Sequence, residues 1–274
     1  MKVCVFTGPT LGSDEVRAQL DALVLPPASQ GDVFRAALGG CQVIGIIDGR
    51  FEEVPSVWHK EILWAMSQGV HVFGSASMGA LRAAELAAFG MEGVGKIFAA
   101  YQEGVFEDDD EVAVVHGPAE SGYRCLSEAM VNVRATLAAA VAAKIISETT
   151  AALLVSIAKS LHYSERTYPR ILQHRSRQEA SSLELDCLQN WLSTGSVDQK
   201  RLDAVAMLRV MRERLDAGIQ PKRVDYVLEQ TKYWNAAMRE TEAPELDLVA
   251  EDLSEDIRPF LRRILERSRG SSQP

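Results

Sequence analysis

The sequence predicts an α/β fold, with an N-terminal, mostly parallel sheet and flanking helices, followed by an all-helical C-terminal region. In the first half, short and continuous apolar runs alternate with helix-like segments. Continuous hydrophobicity is typical of strands that are covered on both faces. After about residue 121, apolar residues recur at helical spacing with almost no strand pattern. We therefore expect an α/β core domain over residues 1–120 and a helical region over residues 121–274.

Composition excludes several classes of protein. The chain has 274 residues and a net charge of −9, which gives no electrostatic support for a nucleic-acid partner. No apolar run approaches the roughly 18–20 residues that span a bilayer, and the N-terminus lacks a signal-peptide pattern. We expect a cytoplasmic protein without a membrane partner. The scattered cysteines predict reduced, buried thiols and neither a disulfide framework nor a zinc site: they are Cys4, Cys41, Cys125 and Cys187.

Several apolar runs in the first half are predicted to be strands. In an open parallel sheet, ligand sites form in the crevice beyond the carboxyl ends of the strands. Three of these runs end in distinctive polar loops, over Thr7–Thr10, Asp48–Phe51 and Ser75–Gly79, so we expect the loops to lie at one edge of the sheet. The predicted strands are Val3–Phe6, Gln42–Ile47, His71–Gly74 and Val112–His116.

Helices are predicted from apolar spacing and from their start signals. In the first half, one begins near Ser13, one spans Pro55–Gln68 with proline in its first turn, and one spans Met78–Phe89. The last five residues, 270–274, are rich in small and polar side chains, and we expect a disordered tail. The predicted C-terminal helices are Cys125–Ile146, Thr149–His162, Tyr168–Leu192, Asp198–Gly218 and Lys222–Arg239.

The stretch His71–Glu85 is the most informative part of the chain. A short apolar strand presents Ser77, turns through Gly79 and enters an alanine-rich helix, which is typical of a nucleophile elbow. Ser75 stands where the first glycine of the G-x-S-x-G pattern belongs. Backbone N–H groups after Ser77 and the helix N-terminus would meet an oxyanion there. Ser77 suits a helix N-cap equally well, and both interpretations stay open.

A candidate base for Ser77 comes from the Pro55–Gln68 helix. Lys60 and Trp64 are four residues apart and share a helix face. Desolvation against indole rings favours a neutral lysine amine, which can act as a base, and Ser-Lys pairs are a known variant of the serine triad. The alternative is that Lys60 and Glu61 form an exposed helix pair. His59 is the more usual type of general base, or an interfacial histidine bonded to a backbone group.

Three weaker patterns lie nearby. Arg82 and Glu85 are spaced as an i,i+3 surface pair, and Arg82 is alternatively a group that faces an incoming carboxylate. The acidic run Asp108–Glu111 lacks the glycine and glutamate spacing of a calcium loop, so we expect a solvated loop and no metal site. Gly93-Val-Gly95 is a weak phosphate-loop pattern, because it does not follow a predicted strand.

Taken together, these motifs resemble the core domain of TfuA-like proteins. They occur in the order and spacing of that family and extend over about residues 1–120. The helical remainder carries no matching motif. The motifs are Gly8-Pro9-Thr10, Asp48-Gly49-x-Phe51, Pro55–Ile62, Gly74–Glu85 and the glycine-containing stretch Gly90–Ile97.

The resemblance implies a function in peptide-backbone thioamidation. YcaO-type enzymes use ATP to activate a backbone amide, and TfuA-like proteins are associated with hydrolysis of a thiocarboxylated, ThiS-like sulfur carrier, which releases sulfide near the YcaO active site. The implied partners are a YcaO-type enzyme and the carrier, with the precursor peptide of a ribosomally made product as a further candidate. The implied catalytic serine and lysine are Ser77 and Lys60. No metal and no organic cofactor are expected.

Supporting roles follow for residues around that pair. A thiocarboxylate is anionic, and Arg82, His59 and the helix N-terminus are available to compensate its charge. Asp48 is a candidate to orient Lys60 or His59. Gly79 permits the turn, and the loop that ends at Thr10 is a candidate backbone donor. Two alternatives remain: a non-catalytic adaptor that binds the YcaO enzyme, its peptide and the carrier, and a phosphate site at the Ser77–Arg82 turn.

Overall fold

The computed structural model describes residues 1–50, 54–174, 180–229 and 231–236. Its centre is a five-stranded sheet with the order β2-β1-β3-β4-β5, and every strand pair is parallel. The predicted α/β fold with a parallel N-terminal sheet and a helical C-terminal region is therefore confirmed. The strands are β1 (Val3–Phe6), β2 (Leu23–Leu25), β3 (Val43–Ile46), β4 (His71–Ser75) and β5 (Glu92–Val94).

Helices cover both faces of the sheet. Helices α2, α3 and α4 pack on one face against side chains such as Ile44 and Val72. Helices α1 and α10 pack on the other face against alternate side chains of the same strands, such as Val43 and Phe73. The helices are α1 (Ser13–Gln19), α2 (Asp32–Leu38), α3 (His59–Ser67), α4 (Met78–Leu86), α5 (Lys96–Gln102), α6 (Met130–Ala142), α7 (Glu148–Ser160), α8 (Tyr168–Gln173), α9 (Ser182–Gly195) and α10 (Gln199–Asp216).

The C-terminal half divides its packing between two places. Helices α6, α7, α8 and α9 bury a core of their own, with Leu137, Leu154 and Leu188 at its centre. Helix α10 instead returns to the sheet, where Met207 and Met211 are fully buried. No helix in the described ranges is long and apolar enough to cross a bilayer. The expected division of the chain at residue 120 stays a prediction.

The prediction of a strand over Val112–His116 is wrong. This segment follows a 3-10 turn, and only His116 pairs with another residue, in an isolated antiparallel bridge to Cys125. Val112 is buried against Ala80 and Ile97 of two helices, so its hydrophobicity reflects contact with helices rather than a place in the sheet. Strands β2 and β5, of three residues each, were not among the predicted strands.

Three helix predictions are also corrected. Pro55–Trp58 is not helical. Helix α3 begins at His59, and Trp58 before it is the N-cap residue with an extended backbone. The segment predicted as Tyr168–Leu192 forms two helices, α8 and α9. Residues 222–229 of the last predicted helix are not helical. The predicted disordered tail lies outside the described residues.

Two of the four cysteines are not reduced, contrary to expectation. Cys4 and Cys41 form a disulfide, while Cys125 and Cys187 are free. The bonded residues are 37 positions apart in sequence. They meet because β1 pairs with β3, which places Cys4 beside Ile44. Sequence spacing alone does not reveal such a pairing, since it depends on the strand order.

Glu61 organises the start of two helices. Its buried carboxylate accepts hydrogen bonds from the backbone N–H of Gly31 (3.0 Å), Val33 (3.1 Å), Phe34 (3.2 Å) and Trp58 (2.8 Å). These groups belong to the N-termini of α2 and α3, where the backbone has unpaired donors and favours negative charge. Glu61 is fully buried, so it is not the exposed partner of its neighbour in an exposed helix pair.

We expect Glu61→Gln to lower the free energy of unfolding by about 2–4 kcal/mol, because an amide nitrogen would face buried N–H donors. The measurement is urea denaturation followed by circular dichroism. Glu103→Gln, at the exposed end of α5, is the control and should change stability by less than about 0.5 kcal/mol. Equal stability of the two variants would contradict the proposed role of the carboxylate.

Candidate active site

Ser77 lies on a strained turn between β4 and α4. The Ser77 N–H bonds to the Ser75 carbonyl (2.8 Å), and the residue between them, Ala76, has a φ of +65°. An i→i+2 hydrogen bond around a positive φ marks the rare, strained γ-turn. Ser77 occupies the N-cap position of α4, but its side chain makes no cap hydrogen bond. Its hydroxyl has no hydrogen-bond partner in the part of the chain that the structure describes.

Small residues let this turn press against the sheet. A Cβ atom on Gly79 would lie 1.7 Å from the Ile46 carbonyl oxygen, and one on Gly74 would lie 2.1 Å from the Gly79 carbonyl oxygen. The close approach of this turn to the sheet therefore leaves no room for a side chain at either position. Ser75, which replaces the first glycine of the elbow pattern, donates its hydroxyl to the Val94 carbonyl (2.8 Å) on β5. The substitution is compatible with the elbow because this side chain points into the neighbouring strand.

Asp48 binds the loop that follows β1. Its carboxylate accepts hydrogen bonds from the Gly8 N–H (2.9 Å), the Thr10 N–H (3.0 Å) and the Thr10 hydroxyl (2.6 Å). Asp48 is almost fully buried, so these donors replace water around its charge. The Gly8 and Thr10 donors of this loop are thus engaged by Asp48, and the Thr7 N–H donates to the Leu25 carbonyl. The expected role of Thr10 as a backbone donor to a ligand has no support here.

Lys200 of α10 brings a buried ammonium to the same place. Its Nζ donates to the Val112 carbonyl (3.0 Å) and lies 3.9 Å from Asp48 Oδ1. Lys200 is 3% exposed, and it is the only buried lysine in the described ranges. Buried lysines are rare unless they are paired. This residue was not identified from the sequence, because nothing in the local pattern of α10 distinguishes it from the other charged residues.

Ser77, Asp48 and Val112 line one cavity of about 450 Å3, which we call the Ser77 cavity. Gly49 and the exposed Arg50 lie beside Asp48 at its edge. The three polar loops at the strand ends do meet, as expected from a parallel sheet. The loop after β4 carries the serine, the loop after β3 carries the aspartate, and the loop after β1 surrounds that aspartate. The wall that faces them includes Val114, Val115, His116, Tyr123 and Tyr163.

Two backbone N–H groups next to the residues of this site, one after Ser77 and one after Asp48, have no acceptor among the described residues. The Gly79 N–H bonds to the Ile47 carbonyl (3.3 Å), but neither the Met78 N–H nor the Gly49 N–H has an acceptor among the described residues. Met78 follows Ser77 directly, and Gly49 follows β3. A Cβ on Gly49 would meet the Met78 side chain at 2.6 Å, so these two segments are in contact. In α/β hydrolases the oxyanion hole uses the residue after the nucleophile and a second loop N–H.

Lys60, the lysine expected from the sequence, has other partners. Its Nζ lies 3.4 Å from the Thr231 hydroxyl and 5.8 Å from the centre of the Trp234 ring. The indole contact that the sequence suggested therefore exists, although with Trp234 rather than Trp64. Lys60 is not among the residues that line the Ser77 cavity. Lys200 does not line the cavity either, but its two contacts, Asp48 and Val112, do.

His59, Arg82 and Glu85 form a separate network. Arg82 donates to the Val57 carbonyl (2.9 Å) and to Glu85 (2.8 Å), and the His59 ring lies 2.7 Å from the same Glu85 oxygen. Burial raises the pKa of Glu85, but the hydrogen bond from His59 and the charge of Arg82 outweigh it and lower that pKa below its usual value. Arg82 and Glu85 line a second cavity of about 660 Å3, which shares Tyr163 with the Ser77 cavity.

The acidic loop is paired rather than simply solvated. Lys159 Nζ lies within 3.0 Å of Asp108, Asp110 and Glu111, and the buried Arg166 bonds to Asp110 (2.7 Å). Burial raises the pKa of Asp110, and the hydrogen bonds from Lys159 and Arg166 outweigh it and lower that pKa. No group of three or more metal-ligating side chains is found within the described ranges.

The Gly93–Gly95 pattern is filled by a side chain of the protein. Asp203 of α10 accepts a hydrogen bond from the Ile97 N–H (2.8 Å) at the start of α5, and a Cβ on Gly95 would lie 2.4 Å from its carboxyl carbon. The carboxylate occupies the place that a phosphate would take at this helix N-terminus. The glycine serves to admit Asp203, so the pattern is structural.

Part of the chain is similar to a known protein family. Residues 48–167 match the family model of TfuA-like proteins. The matched stretch begins at Asp48, includes Ser77 and extends into the helical region, whereas Lys200 lies beyond it. No curated protein matches the chain.

We expect Asp48 and Lys200 to be energetically coupled. Asp48→Asn should lower the free energy of unfolding by about 3 kcal/mol, because it leaves a buried ammonium without its counter-charge. Lys200→Met removes that ammonium. The double variant should therefore lose less free energy of unfolding than the two single variants lose together, by about 1 kcal/mol or more. Urea denaturation of all four proteins measures this, and additive losses would contradict the pairing.

Proposed function

The chain belongs to the TfuA-like family through residues 48–167, and from this we propose that it is a hydrolase-like accessory protein of YcaO-dependent peptide-backbone thioamidation. The family is consistent with a YcaO-associated role. The proposed reaction is hydrolysis of a thiocarboxylated, ThiS-like carrier protein to release sulfide. The observation that carries the proposal is the Ser77 hydroxyl, which has no hydrogen-bond partner among the described residues and lies on a strained turn at a cavity whose lining residues Asp48 and Val112 contact a buried lysine.

Ser77 is the proposed nucleophile. Its Oγ forms a bond to the terminal thiocarboxylate carbon of the carrier, the carbon–sulfur bond breaks, and the sulfur takes a proton from solvent and leaves as hydrosulfide. The carrier is then held as an ester on Ser77, and water cleaves this ester to give the carrier carboxylate and the free serine. Two bond-making steps replace one difficult step, as in other enzymes that use a serine nucleophile.

We assign the lysine of the proposed pair to Lys200. In the proposal, loss of a Lys200 proton to solvent leaves an amine that takes the Ser77 proton during attack. The ammonium that this restores is stabilised by Asp48 at 3.9 Å. Its contacts, Val112 and Asp48, line the Ser77 cavity. Lys60 is half-buried and bonded to Thr231, so its geometry supports the role less well.

The charge of the substrate is met by several groups. A thiocarboxylate and the tetrahedral species derived from it are anionic, and the free N–H groups of Met78 and Gly49 can donate to the oxygen that gains charge. The positive end of α4 adds to this field. Arg50 is exposed at the cavity edge, where its guanidinium attracts an anionic carrier tail. The extended Gly-Gly tail of such a carrier is slim enough for a cavity of about 450 Å3.

The test is sulfide release from a purified, thiocarboxylated carrier. We expect Ser77→Ala and Lys200→Met to lower the rate by about 100-fold or more, since each removes a group that acts in the reaction. Lys60→Met is the matched lysine control and should retain the unmodified rate within about threefold, an effect below 1 kcal/mol.

Different results would change the proposal in different ways. An unmodified rate for Ser77→Ala would rule out the nucleophile. If Lys60→Met lost activity and Lys200→Met retained it, the base would be Lys60 of α3. Full thioamidation by Ser77→Ala in the presence of the YcaO enzyme, together with a stable complex of the two proteins, would favour a non-catalytic adaptor.

A further inference from the structure

We infer that His116 is the base that activates water in the second half of the proposed reaction, when the ester on Ser77 is hydrolysed. The inference rests on the proposed function and adds a catalytic residue to it. His116 lines the Ser77 cavity together with Ser77 itself. It lies in the segment Val112–Ser127, which was expected from the sequence to begin with a strand.

The backbone around His116 is firmly held. Leu126 N–H bonds to the Val115 carbonyl (2.8 Å), and the Val115 N–H bonds to the Ser127 hydroxyl (2.8 Å). On the other side of His116, the Gly117 N–H bonds to the Arg124 carbonyl (2.9 Å). His116 therefore stands on a narrow, closed loop whose two arms are bonded together. A base on such a support needs little rearrangement to act.

Within the described part of the chain, the hydrogen bonding of the imidazole leaves one nitrogen available. His116 Nδ1 lies 2.8 Å from the Gly117 carbonyl oxygen. A carbonyl oxygen only accepts, so Nδ1 carries the hydrogen, and the neutral ring keeps its lone pair on Nε2. The ring also packs edge-on against Tyr123, with centroids 5.5 Å apart. Both contacts fix the ring orientation, which is the arrangement of a histidine that acts as a general base.

In the proposed reaction, His116 accepts the proton of the attacking water, and Lys200 exchanges the proton of Ser77. Lys200 contacts Asp48 and Val112, whereas His116 belongs to the loop wall of the cavity. During ester hydrolysis, the water oxygen bonds to the acyl carbon and the water proton passes to His116 Nε2. The bond from the acyl carbon to Ser77 Oγ breaks, and Oγ regains a proton from the Lys200 ammonium. The carrier leaves as a carboxylic acid that loses the second water proton to solvent, and His116 also returns its proton to solvent, so atoms and charge balance.

The test is the fate of the carrier on His116→Ala and His116→Gln, of which the second keeps the side-chain volume. We expect one equivalent of sulfide in a fast phase, then a steady rate about 100-fold below that of the unmodified protein. Intact-mass measurement should show an adduct equal to the carrier minus hydrogen sulfide, located on Ser77. Added imidazole should restore turnover of His116→Ala. His71→Gln, at the opposite end of the same strand as the serine turn, is the histidine control and should turn over normally.

Two outcomes would overturn the inference. In one, both His116 variants turn over at the unmodified rate. In the other, both fold normally but lose the fast phase and form no adduct, which would place His116 before hydrolysis of the ester. If instead the unmodified protein releases no sulfide and forms no adduct, the proposed function fails, and with it the basis for this role.

Discussion

The buried carboxylate of Asp48 is the contact on which the site depends. An ionised carboxylate inside a protein must be surrounded by donors, because it has lost its water. Asp48 obtains them from Gly8 and Thr10 after β1, and it has the Lys200 ammonium of α10 nearby. One charge therefore joins the ends of two strands to a helix from the far end of the chain. The free Ser77 hydroxyl lies in the cavity that this arrangement encloses.

The site depends on a contact between segments that are far apart in sequence, because helix α10 packs on the N-terminal sheet. This helix follows the helical core formed by α6 to α9 and then packs on the sheet. There it brings Lys200 into contact with Asp48 and Val112, which line the Ser77 cavity, and Asp203 to the start of α5. The stretch that matches the TfuA-like family ends before this helix. A fragment cut at the end of that stretch would hold the serine and Asp48 but would lack the buried lysine.

The sequence predicted what depends on local pattern. The strands around Val3, Val43 and His71 were correctly placed, and parallel pairing alone brings their polar loops to one edge. Other features depend on contacts between distant segments. The β-branched residues of Val112–His116 look like a strand but bury against helices. Strand β5 has three residues, including a glycine, which is too short to produce a period.

The dependence on contacts between distant segments also explains why the sequence pointed to Lys60 and not to Lys200. Lys60 lies in a motif of the family and near tryptophan in sequence, so local reasoning selected it, whereas Lys200 sits in a helix whose charge pattern is ordinary. Only burial and the contact with Asp48 distinguish it. His116 was missed for a related reason, because it lies at the end of a run predicted as a sheet strand. Chemistry-bearing residues that meet across the fold require the three-dimensional structure.

The most direct measurement is the site and rate of labelling by a small fluorophosphonate, which reacts with activated serines, followed by peptide mapping. We expect the label on Ser77, with a rate that falls about 100-fold or more in Lys200→Met and is unchanged in Lys60→Met. A label on another serine, or a labelling rate of Ser77 that does not depend on Lys200, would contradict a serine activated by this buried lysine.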